Sequence, residues 1–216
     1  GQLAAGIAHE VNNPLGTLLL HANLLLEECE DETIKDDLET IIDQGNRCKR
    51  IISGLLNFAR QSRVLRQPTD LAELVEKTIR TAPVIDGVSV HVENRLADPV
   101  ADVDPDQMIQ VLTNLYTNAQ QAMPEGGDLT ITLTDDPETI TITVKDTGVG
   151  VAPEHMPKIF DPFFTTKQVG MGTGLGLAVS DGIVKMHKGQ ISAESNTDRS
   201  KGPTGTTFIV TLPRHE

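Results

Sequence analysis

The stretch Ala8-His9-Glu10-Val11-Asn12-Asn13-Pro14-Leu15 lies near the start of the chain, and the interpretation of the remaining sequence depends on it. It sits in a segment where apolar residues recur at spacings of three and four, which predicts an amphipathic helix. His9 and Asn13 are four residues apart and share a helix face, with Glu10 to one side. Pro14 removes a backbone donor and is expected to bend the helix just beyond the histidine. A lone histidine on a helix usually has no special task, so the role of His9 depends on what else the chain contains.

Length and charge bound the classes of function. The chain has 216 residues, enough for one large or two small domains. It carries 18 Lys and Arg against 31 Asp and Glu, a net charge of −13. That balance argues against a general nucleic-acid or anionic-membrane binder, because phosphate backbones and anionic lipids attract basic surfaces. A local anion site remains open to backbone amides and one or two cations.

Two long helical patterns open the chain. The first runs from residue 1 to about 30, and the second from 33 to 61. In the second, apolar or small residues follow alternating steps of four and three, as in a coiled-coil seam. The seam residues are Ile34, Leu38, Ile41, Gly45, Cys48, Ile52, Leu55 and Ala59. Two helices alone cannot bury such stripes, so we expect an antiparallel hairpin that forms a four-helix bundle with a second copy, a homodimer.

A polar, basic link from Gln61 to Pro68 separates this hairpin from a mixed pattern, so we predict domains at residues 1–66 and 67–216. The mixed part predicts helices and alternating strands in turn. The helices are expected at 70–81, 105–122 and 174–187, and the strands at 88–93, 128–134, 139–145, 189–195 and 205–212. Runs of strands with helices on one face indicate an α+β two-layer sandwich.

Amide side chains stack on the helix that follows Pro105. Asn114, Asn118 and Ala122 share one face at four-residue steps. Amide oxygens of this kind can complete an octahedral magnesium shell whose other ligands are phosphates and water. Asparagines on a helix face also commonly meet only solvent, and the spacing alone favours that interpretation.

Two glycine-rich stretches follow. Asp146-Thr-Gly148-Val-Gly150 comes directly after a predicted strand, where a carboxylate can accept a hydrogen bond from an exocyclic amine and glycines let a flat ligand approach. The same letters also serve as ordinary turn punctuation. The second stretch, Gly170-Met-Gly172-Thr-Gly174-Leu-Gly176-Leu177, opens a helix whose free N–H groups and dipole favour a polyphosphate. Lys167 is a candidate charge for the terminal phosphate.

Taken together, these motifs resemble the catalytic core of a two-component sensor histidine kinase over essentially the whole chain. The stretch from His9 to Leu15 resembles the H box of that family. The other matches, in the family's order, are Asn114–Ala122 to the N box, Asp146–Gly150 to the first glycine box, Phe160–Lys167 to the phenylalanine box, Gly172–Leu177 to the second glycine box and Gly205–Phe208 to the last strand of the nucleotide pocket.

The resemblance implies a dimeric two-helix domain followed by the ATP-binding fold of histidine kinases, gyrase and mismatch-repair ATPases. It implies ATP and Mg2+ as cofactors, with adenine on Asp146, Thr206 nearby and the metal on Asn118. It extends the nucleotide contacts to Asn114, Gly148, Gly150, Gly172, Thr173, Gly174, Leu175 and Gly176. It further implies a lid at residues 151–172 anchored by Phe160, Phe163 and Phe164. The family often has a basic residue where this chain has Gln121, so no phosphate contact is transferred to that position.

The implied reaction is autophosphorylation of His9 by ATP, followed by transfer of the phosphoryl group to an aspartate of a response-regulator receiver domain. Glu10 would take or orient the ring proton, and Lys167 would screen charge on the γ-phosphate. Asn13 resembles the position that orients a hydrolytic water, which makes phosphatase activity toward the phosphorylated regulator a further hypothesis.

Three alternative functions share some of these features: a gyrase-like ATPase, a non-catalytic ATP-binding scaffold and an interaction hairpin beside an unrelated sandwich. The H box disfavours the first, and the combination of catalytic and glycine motifs disfavours the other two. Cys29 and Cys48 fit a reducing compartment, and the most apolar run, Leu15–Leu26, is too short to span a bilayer. We expect a cytoplasmic fragment, which is compatible with a membrane-anchored parent protein.

Overall fold

The computed structural model describes residues 2–60, 64–82, 87–167 and 172–215, without the side chains of residues 2–10, 12, 50, 51, 53–60 and 201. The chain divides into two compact units. One consists of residues 1–63 and 161–176, and the other of residues 64–160 and 177–216. The domain boundary expected between residues 66 and 67 stays a prediction.

The first unit is built on two long helices, α1 (Gln2–Glu28) and α2 (Glu32–Arg60), which confirms the two predicted helices. Asp31 begins α2, because its carboxylate Oδ1 accepts hydrogen bonds from the N–H groups of Thr33 and Ile34 at 2.9 and 3.3 Å. The helices approach closely at Gly45, where a Cβ atom would overlap the Leu19 side chain. Pro14 lies inside α1, and helix continues on both sides of it.

The second unit alternates helices and strands. Its helices are α3 (Leu71–Thr81), α4 (Pro105–Gln121) and α5 (Gly176–Met186), the last of which begins at the final residue of the first unit. Its strands are β1 (Gln67–Asp70), β2 (Val88–Asn94), β3 (Val100–Val103), β4 (Gly127–Asp135), β5 (Thr139–Asp146), β6 (Gln190–Asn196) and β7 (Gly205–Pro213). Short 3-10 turns occur at Met156–Lys158 and Arg199–Lys201.

Five of these strands form one sheet in the order β2-β4-β5-β7-β6, with β2 parallel to β4 and the other neighbours antiparallel. Alternate residues of the central strands are buried, including Leu129 and Ile131 on β4 and Ile140 and Ile142 on β5. Half-buried threonines point to the other face. A sheet with one apolar face must bury that face against another layer, and α4 contacts β5. The predicted α+β two-layer sandwich is confirmed.

Two helix starts in this unit are set by aspartates. Asp70 accepts a hydrogen bond from the N–H of Glu73 at 2.9 Å, and Asp104 accepts one from Gln107 at 3.2 Å, with Pro105 in the first helical turn. The α4 cap matters for function because it fixes where the asparagines of α4 lie along the sheet.

One expectation was wrong. The polar, basic link is predicted to extend to Pro68, but Gln67–Asp70 is a strand that pairs antiparallel with β3 in a separate two-stranded sheet. Proline is tolerated on an edge strand because its missing N–H can face away from the ladder. Both strands are four residues long, too short for alternation to reveal them.

Candidate functional site

Asp146 ends β5 and is the most deeply placed polar group of the predicted site, with 2% of its surface exposed. Its Oδ1 atom accepts two hydrogen bonds, from the N–H of Gly148 at 2.9 Å and from the N–H of Thr206 at 3.1 Å. Within the described residues, no group donates to Oδ2. Burial raises the pKa of the carboxyl group, and the two N–H donors act against that rise. The carboxylate is therefore held rigidly by one oxygen and presents the other as an acceptor.

The loop after Asp146 packs closely against the end of α4 and the end of β6. A Cβ atom on Gly148 would overlap the carbonyl oxygen of Ala122 at the end of α4, and the N–H of Val149 donates to that same oxygen at 3.0 Å. Gly150 has φ +76°, and a Cβ there would overlap the carbonyl oxygen of Asn196. Glycine is thus required at both positions by close backbone approach. The glycines therefore let the loop pass close to the neighbouring backbone, while their contact with a nucleotide stays a prediction.

A chain of hydroxyl groups lies beside the carboxylate. Ser195 on β6 accepts a hydrogen bond from the N–H of Val151 at 2.7 Å and donates to the carbonyl of Gly205 at 2.8 Å. Its Oγ is also 3.0 Å from Oγ1 of Thr206. Thr206, the residue predicted to lie near the base, is 4% exposed and does lie beside Asp146. Sequence analysis did not single out Ser195, because its proximity to Thr206 comes from the pairing of β6 with β7.

The asparagines of α4 are half-buried. Asn114 Nδ2 donates to Oγ of Ser180 at 3.2 Å, which ties α4 to α5, and Asn118 follows one turn later. Among the described residues there is no group of three or more His, Cys, Asp or Glu side chains that could hold a metal ion. A magnesium ion at Asn118 would therefore need phosphate oxygens and water to complete its shell, which fits the preference of this ion for few protein ligands.

The second glycine box and Lys167 belong to the other compact unit. The N–H of Phe163 donates to the carbonyl of Gly174 at 2.9 Å, and both residues have positive φ, 68° and 66°. Oγ1 of Thr173 accepts from the N–H of Leu175 at 3.4 Å. Burial lowers the pKa of Lys167. Hydrogen bonds within the segment therefore hold Gly174 against Phe163. The contacts of the second glycine box and Lys167 with phosphates stay a prediction.

The predicted lid, residues 151–172, is described only in part. Residues 168–171, which include Gly170 and Met171 of the second glycine-rich stretch, lie outside the described residues. Phe163 is predicted to anchor the lid with Phe160 and Phe164, but the residue is 56% exposed and is not a buried anchor. Phe160 and Phe164 are half-buried.

The H box lies on α1. The backbone of His9 and Glu10 is helical, and their side chains are outside the described part of the structure. Asn13 is exposed, and its carbonyl oxygen accepts a hydrogen bond from Oγ1 of Thr17 at 3.2 Å. The helical spacing that places His9 and Asn13 on one face is therefore confirmed for the backbone. Their roles stay predictions.

A second polar cluster centres on His187, a residue to which no role was assigned from the sequence. His187 is 2% exposed, accepts a hydrogen bond from the N–H of Asp104 at Nε2 (3.0 Å) and donates from Nδ1 to the carbonyl of Ile183 (2.8 Å). Asp104 also accepts from the N–H of Leu65 at 2.9 Å, and Arg66 donates to the carbonyl of Met186 at 2.8 Å. These hydrogen bonds hold Leu65 at the start of α4 and Arg66 at the end of α5.

Comparison with known proteins divides the chain in the same order as its motifs. Residues 1–63 match the family model described as His Kinase A (phospho-acceptor) domain, and residues 103–216 match the model described as Histidine kinase-, DNA gyrase B-, and HSP90-like ATPase. No helix of the described residues has the length and apolar character needed to cross a membrane.

Curated relatives are similar over nearly the whole of this chain. Sensor histidine kinase ZraS of Escherichia coli K12 is 34% identical, covering 99% of this chain and 45% of that protein. Sporulation kinase A of Bacillus subtilis strain 168 is 32% identical, covering 99% of this chain and 34% of that protein. The chain thus spans less than half the length of these relatives.

Solved structures agree on the fold. Full-length ShkA in complex with AMPPNP superposes with a TM-score of 0.73 at 23% identity, over 98% of this chain and 45% of that one. Histidine kinase ThkA, in complex with the response regulator protein TrrA, superposes with a TM-score of 0.68 at 26% identity, over 99% of this chain and 61% of that one.

Proposed function

The chain belongs to the two-component sensor histidine kinases, and from that premise we propose that it transfers the γ-phosphoryl group of ATP to His9 and then to an aspartate of a response-regulator receiver domain. The observation that carries the proposal is the buried carboxylate of Asp146, which is fixed through Oδ1 and has Oδ2 available as an acceptor. An exocyclic amine such as that of adenine is the donor that this arrangement suits.

In the proposed site, adenine contacts Asp146 and Thr206. Gly148 and Gly150 have no side chains, so the base can approach the loop backbone closely. Asn114 and Asn118 face the phosphates. Gly172, Thr173, Gly174, Leu175 and Gly176 supply backbone N–H groups for the polyphosphate at the start of α5. A magnesium ion bound through Asn118 would neutralise charge on the phosphates.

The proposed chemistry forms a nitrogen–phosphorus bond and breaks the bond between the γ-phosphorus and the oxygen that leaves with ADP. The neutral imidazole of His9 attacks in line, and Glu10 takes or orients the proton on the other ring nitrogen. The ammonium group of Lys167 would screen the negative charge of the γ-phosphate. Burial lowers the pKa of this group. The product is a phosphohistidine, whose phosphoryl group an aspartate can accept.

The decisive experiment is incubation with magnesium and γ-labelled ATP. We expect acid-labile, base-stable label on the chain and none on His9→Gln. His21→Gln is the matched control, because His21 is an exposed histidine on the same helix, and it should retain the label. ATP binding without label on the unaltered chain would favour a scaffold, and ATP hydrolysis without label would favour a gyrase-like ATPase.

We also propose the homodimer as the working unit. In the single chain, Leu18, Leu25, Ile34 and Ile41 are 65, 57, 51 and 54% exposed on the hairpin. A second copy that pairs its hairpin with this one would bury them in a four-helix bundle. No nucleic-acid partner is proposed, given the net charge of −13.

The phosphatase hypothesis rests on Asn13, which is exposed on α1 four residues beyond His9. We propose that its amide orients the water that hydrolyses the aspartyl phosphate of the regulator. Asn13→Ala should lose dephosphorylation of a phosphorylated receiver domain while His9 labelling continues. An unchanged dephosphorylation rate would rule the proposal out.

A further inference from the structure

We propose that Ser195 determines which nucleobase the site accepts, by forcing the hydroxyl group of Thr206 to act as a hydrogen-bond acceptor. This inference rests on the proposed ATP site and assigns a positioning role to a residue outside the family motifs recognised in the sequence. It follows from counting protons in the hydroxyl chain beside Asp146.

The hydroxyl group of Ser195 has a single proton to donate. Its oxygen has three neighbours: the N–H of Val151 at 2.7 Å, the carbonyl of Gly205 at 2.8 Å and Oγ1 of Thr206 at 3.0 Å. The N–H can only donate, and the carbonyl can only accept. The carbonyl of Gly205 is the nearer acceptor, at 2.8 Å against 3.0 Å, so we assign the proton of Ser195 to it, and the bond to Thr206 then uses the proton of Thr206.

The hydroxyl group of Thr206 is left without a proton for a ligand. Once its proton is donated to Ser195, Oγ1 has only lone pairs left, so its remaining capacity is that of an acceptor. The backbone N–H of Thr206 is also committed, because it donates to Oδ1 of Asp146 at 3.1 Å. Thr206 thus has no donor left for a ligand.

Asp146 and Thr206 are joined by the hydrogen bond from the N–H of Thr206 to Oδ1, and the two residues are 2% and 4% exposed. Oδ2 of Asp146 and Oγ1 of Thr206 then both offer only lone pairs to a ligand. A base with an amine at its edge satisfies both. A base with a carbonyl at the same position would place a third acceptor against them, and a buried acceptor without a donor is costly. The arrangement selects 6-aminopurines over 6-oxopurines.

Removal of the Ser195 hydroxyl should weaken this selection. In Ser195→Ala the proton of Thr206 no longer has an acceptor in Ser195, so the hydroxyl can rotate and donate to a carbonyl on the ligand. The preference for ATP over inosine triphosphate, which carries a carbonyl in place of the amine, should fall about tenfold.

The test measures dissociation constants of ATP and inosine triphosphate by titration calorimetry with magnesium present, on the full chain. Ser195→Thr keeps a hydroxyl at the same place and should retain the preference of the unaltered chain. Ser192→Ala is the matched control, because Ser192 is an exposed serine on the same strand, and it should leave both constants unchanged.

A double-mutant cycle isolates the route through Thr206. Thr206→Val removes the hydroxyl but keeps the N–H that Asp146 accepts, and adding Ser195→Ala to it should leave the ATP preference unchanged within about twofold. A parallel loss of affinity for both nucleotides in Ser195→Ala would overturn the inference, since it would mean that Ser195 only holds the loop. If the unaltered chain binds neither nucleotide, the proposed function itself fails; if it binds both equally, only the inference does.

Discussion

The helical hairpin and the sandwich use their apolar residues in opposite ways. Among the described side chains of the hairpin, only Ala22 and Leu38 are buried apolar residues, whereas Val11, Leu18, Leu20, Leu24, Leu25, Ile34 and Ile41 are large and exposed. The sandwich buries most of its apolar residues, and its large exposed ones include Leu65, Val92 and Val149. A sheet covered by helices forms a buried core within one chain. Two helices bury only the apolar residues at their mutual contact, and the rest of each apolar stripe stays exposed.

This difference separates two sources of stability. The denaturant concentration at which half of the sandwich is unfolded should not depend on protein concentration. The hairpin should gain stability from mass action when a second copy binds. The predictions below test that contrast, beginning with the largest effect.

Removing a core side chain should cost most in the sandwich. Leu133 is 1% exposed on β4, and Leu133→Ala should lower the free energy of unfolding by about 2–5 kcal/mol, because it removes buried contacts and leaves a cavity. Denaturant unfolding at low protein concentration measures the change. Leu24→Ala, at a leucine that is 46% exposed on the hairpin, should change the same quantity by less than about 0.5 kcal/mol. Equal losses would contradict the contrast.

Asp146→Asn should weaken ATP binding about 100-fold, because the amide places a donor where the carboxylate offered an acceptor to the amine. Asp106→Asn, at an exposed aspartate in the first turn of α4, is the control for loss of charge. Calorimetric titration measures both. Asp146 and Thr206 lie in the same compact unit, so the loss should be the same in a variant that cannot dimerise.

Ile41→Glu should raise the dissociation constant of the dimer about 10-fold or more, because a carboxylate would be buried against the second copy. Sedimentation equilibrium measures this constant. Val92→Glu, at a valine that is 41% exposed on the edge strand of the sandwich, should leave it unchanged. A similar effect from both variants would place the dimer contact elsewhere.

The smallest effect concerns pH and His187. Burial lowers its pKa below the ordinary value of 6.5; the charge of Arg66 acts in the same direction, while the Ile183 carbonyl and Asp104 oppose it. As pH falls below that value, the unfolded chain binds the proton before the folded chain does, so the free energy of unfolding decreases. The stability that neutral His187 contributes is therefore present above pH 6.5 and is lost as pH falls through its folded pKa.

Denaturant unfolding between neutral and mildly acidic pH tests this dependence. His187→Gln should flatten it. His91→Gln, at a histidine whose side chain is 59% exposed, should not. A slope that persists in His187→Gln would assign the dependence to other groups.

Much of the fold could be predicted from local pattern. The two long helices, the capped starts of α3 and α4 and the β4–β5 hairpin each depend on neighbours within a few residues, so their signals are written in short windows of sequence. The small sheet of β1 and β3 could not be predicted in this way. Its strands are separated by the whole of α3 and β2, and each is too short to show a period.

The site divides along the same line. Asp146, Gly148 and Gly150 could be identified because a carboxylate and two glycines follow a strand at fixed spacing. The Ser195 contact could not, because it depends on the register in which Ser195 on β6 pairs with Thr206 on β7. Likewise His187 had no distinguishing spacing, and its importance arises from a backbone N–H 83 positions away in the chain.

By itself, the sequence determined the chemistry that the chain carries: an imidazole and carboxylate on a helix, amides on another, and glycines where backbone must approach closely. These properties depend on residue type and short spacing. Only the tertiary structure decided that one oxygen of Asp146 is occupied and the other available, that Thr206 has no donor left for a ligand, and that a histidine of plain appearance is buried and neutral. Hydrogen-bond direction and burial are set by groups distant in sequence, which only the packed fold brings together.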